Sequence, residues 1–229
     1  MALGPRIEPM LAEAWSVLPP ERTLPGGPVM EQKPDGYRAL LVARPGHVFL
    51  QSRNGADLTP PFLALVAAAP ALDRPLDLDG ELVVVHDGRL HFGALQGRAR
   101  RRGRGAAAAA VQRPAHLIVF DVLEASGVAL LDRPYRERRT LLEGFFADKV
   151  LVAPFSLCPA TTDRAVAEDW LDPAWGAAGM EGVIVMGRAQ AYQPGLRGWI
   201  KVRARSTQEG LVAAVTGTVQ EPGALLLGR

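Results

Sequence analysis

Short runs rich in aliphatic, β-branched and aromatic residues, broken by Pro, Gly, Asn and Asp, predict strands at 29–32, 37–43, 47–52, 76–85, 116–123, 150–155, 182–186 and 199–202. Arg44-Pro45-Gly46 reads as a hairpin turn between the second and third of these, Arg53-Asn54-Gly55 as a turn, and Asp87-Gly88 as a tight hairpin into 90–92. Helical spacing takes over elsewhere. Met10, Leu11, Ala14, Trp15 and Leu18 recur at helix-like intervals across 8–18 until Pro19-Pro20 interrupts them. Further helices are expected at 62–72, at 134–146 with its proline start, and at 163–170. Between them, 98–105 reads as a basic low-complexity linker and 106–110 as an alanine run of high helix propensity. Hairpins among alternating strands and helices define an α+β class with antiparallel β-sheets flanked by helices. At the end, 211–218 and 224–227 flank Glu221-Pro222-Gly223 as one hairpin without a partner sheet.

Composition narrows the class of protein. The chain has 229 residues, 48% apolar and 22% charged, enough for one medium domain whose core needs neither disulfides nor structural metal. Cys158 is alone, which fits a reducing, cytoplasmic compartment. Residues 1–8 lack the basic start and apolar run of a secretory signal, and no stretch approaches 18 consecutive apolar residues, so no membrane association is expected. The formal charge of +2 conceals a local excess: Arg98, Arg100, Arg101, Arg102 and Arg104 come with no acid between them, and without them the charge becomes −3. Any anion-binding signal is therefore local. The four histidines show no metal-ligand spacing, and zinc is not expected.

Lysine usage is the sharper clue. Only Lys33, Lys149 and Lys201 occur among 26 basic residues, the rest being Arg. An amine can lose its proton and attack an electrophile, whereas a guanidinium stays charged, so a retained lysine in an arginine-rich chain is a candidate nucleophile. Lys33 stands at the end of a predicted strand, because Pro34 biases the residue before it towards extended geometry. It opens the pattern Lys33-Pro34-Asp35-Gly36-Tyr37-Arg38.

Five further motifs follow in order: Ser52-Arg53-Asn54-Gly55, Asp79-Gly80-Glu81-Leu82-Val83, Phe120-Asp121-Val122-Leu123, Glu181-Gly182-Val183-Ile184-Val185 and Trp199-Ile200-Lys201-Val202-Arg203. With Pro9-Met10-Leu11-Ala12 ahead of them, the set resembles the adenylation domain of ATP-dependent DNA ligases. More broadly it is similar to the covalent nucleotidyltransferases, which include RNA ligases and GTP-using capping enzymes.

The resemblance implies that the Lys33 amine attacks the α-phosphorus of ATP to form lysyl-AMP, that AMP passes to the 5′-phosphate of nicked double-stranded DNA, and that a 3′-hydroxyl then seals the nick. Such an attack needs a neutral amine, and an ordinary lysine is deprotonated only about once in a few thousand at pH 7. Arg38, Lys201 and Arg203 are expected to favour proton loss from Lys33 and to bind phosphate charge. Glu81 and Glu181, placed at strand ends, are expected to hold Mg²⁺, with Glu81 alternatively on the ribose and Glu181 alternatively a proton acceptor. Phe120 is expected to stack on adenine, Glu31 to meet its amino group, and Arg53 to lie near ribose and phosphates; Asp35 shapes the turn and Trp199 supports Lys201.

Family members continue into an oligonucleotide-binding barrel, yet 26 residues follow Arg203, too few for five strands of roughly 5 to 6 residues plus turns. The expected division is an adenylation domain over 1–205, then a linker and the first hairpin of a truncated barrel over 206–229. The chain is expected to be a monomer, with a repair protein as a possible recruiting partner. The alternatives are an RNA ligase or capping-type enzyme, told apart by the nucleotide and strand used, and a non-catalytic nucleic-acid-binding relic using the 98–104 arginines.

Overall fold

Two sheets face each other, and the chain crosses between them twice, once through the Lys33 motif and once between Leu157 and Ala160. The computed structural model describes residues 7–69, 75–205 and 211–228. The first sheet joins β1 (Leu11–Trp15), β2 (Pro28–Pro34), β10 (Ala160–Thr161), β11 (Met180–Gly187) and β12 (Arg197–Arg203) in the order β1-β12-β11-β2-β10. The second joins β3 (Tyr37–Arg44), β4 (His47–Ser52), β5 (Leu76–His86), β7 (Ala115–Ala125) and β8 (Val128–Ala129) in the order β4-β3-β5-β7-β8. Two short strands complete it: β6 (Arg89–Leu90) pairs with β5 and β9 (Phe155–Leu157) with β7. Pairing is antiparallel except for β1 with β12 and β7 with β9. β13 (Leu211–Gly217) and β14 (Pro222–Gly228) pair only with each other among the described residues.

Period-two alternation assigns each face. In β3, Ala39, Leu41 and Ala43 join Leu76, Leu78 and Leu82 of β5 in a core on the outer side of the second sheet. That core is covered by α1 (Leu63–Ala68), α2 (Phe92–Ala99), α3 (Gly103–Gln112) and α4 (Tyr135–Ala147), each of which supplies residues to it or packs beside it. Leu40 and Val42 point the other way, to Val29, Met186 and Trp199 of the first sheet. Behind that first sheet, Val183, Val185, Ile200 and Val202 pack with Ala167 and Trp170, at α5 (Arg164–Asp169) and its C-cap.

Several predicted elements change. Residues 11–15 form a strand rather than a helix: Ala12 to Trp15 pair with 199–202 of β12, and a sheet edge that wants a partner overrides the local spacing. The predicted helix at 62–72 is α1 after a 3₁₀ turn at Pro60–Phe62, and residues 70–72 lie outside those described. Strand 90–92 stops at Leu90, since His91 caps α2 by accepting the Ala94 amide at 3.0 Å. The expected linker 98–105 is the end of α2 and the start of α3. The strand expected over 150–155 begins only at Phe155, after Pro154, which has no N–H to give a ladder. Residues 206–210 of the expected linker lie outside those described. No described helix is long and apolar enough to cross a membrane.

Candidate active site

Lys33 is the last residue but one of β2 and Arg38 the second of β3, so the few residues between them carry the chain from one sheet to the other along the floor of a cleft. Gly36 makes that crossing possible: a Cβ there would sit 2.4 Å from the Leu82 carbonyl oxygen of β5. The cleft encloses 510 Å³, and all nine residues singled out from the sequence line it. Glu31 and Lys33 come from β2, Arg38 from β3, Arg53 from the turn after β4, and Glu81 from β5. Phe120 comes from β7, Glu181 from β11, and Lys201 and Arg203 from β12.

Alternation explains most of these placements, and a bulge explains the remaining one. Trp199, Lys201 and Arg203 share the inner face of β12 while Ile200 and Val202 go to the outer core. In β11, Ile184 and Met186 point inward, which by parity would send Glu181 outward. The register shifts between Met180, opposite Pro34, and Gly182, opposite Lys33, and this extra residue turns Glu181 into the cleft. Gly182 absorbs the distortion at φ 143°, where a Cβ would lie 2.1 Å from the Val202 carbonyl oxygen.

Glu181 Oε2 accepts a hydrogen bond from Lys33 Nζ, and Arg203 Nη2 lies 3.7 Å from the same oxygen. Partial burial disfavours the Glu181 charge, but the bond and charge of Lys33, then Arg203, outweigh it and hold this carboxyl below its ordinary range. Asp35 beside it moves the opposite way, raised by burial and then by the Glu181 carboxylate. Glu81 is not at a strand end as expected but in the middle of β5, two residues from Asp79 on the same face. Burial pushes its carboxyl up to about 7 against the pull of Lys33 and Arg38. Lys201 is lowered by desolvation and by the positive charges of Arg203, Lys33, Arg53 and Arg197. The cationic cluster is therefore felt at Lys201, while the closest charged neighbour of Lys33 is an anion.

Arg38 departs most from its expected place. Its guanidinium forks onto Asp79, with Nε to Oδ1 at 3.0 Å and Nη2 to Oδ2 at 2.6 Å, and Nη1 donates to the Met10 carbonyl. It lies 5.4 Å from the Phe120 ring centre and 4.9 Å from that of Trp199. Those contacts occupy it as a clamp between β3, β5 and the segment leading into β1. Trp199 in turn meets Phe120 and Tyr192 edge-on.

Glu31 is buried, and its Oε1 accepts from Tyr135 Oη at 2.6 Å and Arg139 Nη1 at 2.9 Å. Burial raises its carboxyl to about 8, against Arg139 and Tyr135. These partners on α4, together with Tyr192, are the supporting residues that sequence reasoning missed, while Asp79 stands in a motif without an assigned role. The signal was present for α4, since Tyr135 and Arg139 stand four apart and so share a helix face.

Glu81 and Glu181 are the cleft carboxylates expected to hold Mg²⁺, and the described residues offer no cluster of three or more metal-ligating side chains. Two hard oxygen donors beside basic groups fit an ion that takes its remaining ligands from phosphate and water.

The chain belongs to the ATP-dependent DNA ligase domain family, whose model matches residues 9–203. It is 37% identical to DNA ligase C2 of Mycolicibacterium smegmatis over 229 residues, covering 98% of this chain and 62% of that protein. DNA ligase C of Mycobacterium tuberculosis is 34% identical, with 91% and 57% covered. Among solved structures, a mycobacterial DNA ligase D complexed with ATP and MES superposes with a TM-score of 0.69 at 31% identity, covering 97% of this chain and 67% of that one. The ligase domain of Mycobacterium tuberculosis LigD gives 0.67 at 32% identity, with 86% and 60% covered. The chain thus spans about three fifths of the length of these two DNA ligase C proteins.

Proposed function

We propose that this chain is the nucleotide-transferring part of an ATP-dependent DNA ligase, with residues 1–205 acting as the adenylation domain and the hairpin after them as an entry to a DNA-clamping barrel. The Lys33 amine attacks the α-phosphorus of ATP: an N–P bond forms, the bond to pyrophosphate breaks, and the amine gives up its proton. The Lys33-linked AMP then passes to the 5′-phosphate at a nick in duplex DNA, and the neighbouring 3′-hydroxyl displaces it.

The observation that carries this reading is the placement of Lys33 beside Glu181, with Lys201 and Arg203 on the same face two strands away. Lys201 and Arg203 offer positive charge where a triphosphate is held and charge builds in the transition state. Glu81 and Glu181 would hold Mg²⁺, which offsets the repulsion between phosphate and an incoming nucleophile. Phe120 and the apolar Ile184 and Met186 form a surface suited to a base, and Glu31, fixed by Tyr135 and Arg139, presents a carboxyl to its edge.

The test is labelling by ATP. After incubation with α-labelled ATP and Mg²⁺, the wild-type chain should carry covalently bound adenylate that survives alkali and is released by acid, as an N–P bond requires, and Lys33→Ala none. Label that persists in Lys33→Ala, or its absence from the wild type, overturns the reading. GTP labelling in preference to ATP would redirect it to the capping-type enzymes.

A further inference from the structure

We propose that the arginine turn between α2 and α3 is a phosphate-backbone grip for duplex DNA, set to one side of the nucleotide cleft. The proposal rests on the DNA ligase reading for its partner, but its evidence is separate. Arg100, Arg101 and Arg104 are exposed and form no ion pair among the described residues, and α3 carries no acid in its first turn. Three neighbouring positive charges without counter-charges repel one another, a cost that a polyanion removes.

The turn is built rather than loose, and Arg98 builds it. Unlike its neighbours, Arg98 is 2% exposed and donates to the carbonyls of Arg113 at 2.7 Å and Pro61 at 2.9 Å. Its guanidinium also lies 5.0 Å from the Phe62 ring centre. One buried strut therefore fastens the end of α2 to the end of α3 and to the 3₁₀ turn that follows the cleft wall at Leu58. Arg102 folds back onto the carbonyls of Ala99 and Arg101 at 2.7 and 2.9 Å. The remaining arginines project from a fixed base, so little backbone order has to be created on binding.

The turn's distance from the chemistry suits a duplex. α2 starts at Phe92, which lines the cleft, and its eight residues rise about 12 Å at 1.5 Å each before Arg100. Successive phosphates of one strand advance about 3.4 Å along the duplex axis, so an offset of this length corresponds to some three to four base pairs of a duplex running from the cleft past the turn. Contacts of this kind carry no sequence information, which is what a nick-sealing protein requires of its substrate grip.

The triple variant R100Q/R101Q/R104Q leaves Arg98 and Arg102, with their structural hydrogen bonds, in place. Binding to a nicked duplex is measured by fluorescence anisotropy from 50 to 200 mM NaCl, with a thermal melt to show that folding is unchanged. Each phosphate contact contributes about 0.9 to the slope of log affinity against log salt. The variant should therefore lose about 2 to 3 from that slope and bind roughly tenfold or more weaker, the deficit being greatest at the low-salt end, while ATP labelling of Lys33 stays within about twofold. Unchanged slope and affinity overturn the proposal, as does a loss seen only on single-stranded RNA. If the wild type takes no label from ATP yet its DNA binding depends on these arginines, the ligase reading fails and the grip stands.

Discussion

Arg38 and Asp79 form a two-pronged ion pair across neighbouring strands, 3.0 and 2.6 Å, with the carboxylate fully buried. The pair also gathers the Met10 carbonyl and Tyr192, whose hydroxyl donates to Asp79 Oδ2 at 2.7 Å. Removing one member of a buried pair strands the other, at a cost of about 3–5 kcal/mol. Arg38→Ala should therefore lower the melting temperature by roughly 6 to 20 °C at about 2–4 °C per kcal/mol. Arg38→Lys should recover only part of it, because an ammonium cannot reproduce the fork. Were Arg38 chiefly a phosphate ligand, both variants would melt like the wild type and raise only the KM for ATP.

Glu31 gives the protein a pH dependence with a definite sign. Its carboxyl is raised by burial from an ordinary 4.5 to about 8. Between those values the unfolded chain has lost the proton that the folded chain keeps, so this group's contribution to stability is full below about 4.5 and falls as pH rises towards 8. Glu31→Gln, which cannot titrate, should have a shallower decline in melting temperature between pH 5.5 and 8.5 than the wild type. Parallel profiles for the two proteins would contradict this. Asp121 and Glu81 are also raised by burial and keep part of the slope in both proteins.

How much of this was legible in the sequence depends on the range of the interaction. Strands β2 to β5, β7, β11 and β12 were readable because each carries its own β-forming run and turn signals. β1 was not, since its pairing to β12 joins segments more than 180 residues apart, and the local spacing of Met10, Leu11, Ala14 and Trp15 points to a helix instead. Arg98 read as one member of a basic linker run, because nothing local distinguishes a buried strut from its exposed neighbours. The cleft residues were found through motifs, while Tyr135, Arg139 and Tyr192, which hold some of those residues in place, lie outside them. The bulge that turns Glu181 inward depends on pairing with β2 and cannot be seen along β11 alone.

Two glycine substitutions should separate close approach from mere flexibility. Gly36→Ala places a Cβ 2.4 Å from the Leu82 carbonyl oxygen, and the backbone must move to relieve it. Overpacking of this kind costs about 1–3 kcal/mol. Because Lys33 and Arg38 flank the crossing, ATP labelling should fall more steeply than stability does. Gly97→Ala, in a helix with nothing within 4 Å of the new carbon, should instead stabilise the fold by about 0.5–1 kcal/mol and leave labelling unchanged. Melting curves and single-turnover labelling of the two variants check both halves.

The Lys33–Glu181 contact leaves each group unable to do the work proposed for it. While Glu181 accepts from the Lys33 ammonium, the amine has no lone pair to offer phosphorus, and that carboxylate oxygen is unavailable to a cation. Binding of ATP with Mg²⁺ has to part them, and the Glu181→Gln variant shows which partner gains more. If Glu181 serves chiefly as a metal ligand, the amide weakens the cation site: the Mg²⁺ concentration for half-maximal labelling should rise, and the labelling rate should fall by about 10²–10³, the usual scale for losing one electrostatic contact to a transition state. Glu181→Asp, which keeps the charge on a shorter stem, should recover part of the rate at high Mg²⁺. If Glu181 only restrains the lysine, Glu181→Gln should label faster than the wild type with an unchanged Mg²⁺ requirement. Glu181 binds Lys33 and Arg203 through the same oxygen, and Glu81 lines the same cleft from the facing sheet, so the first outcome is expected. A Mg²⁺ titration of single-turnover labelling in the three proteins decides it.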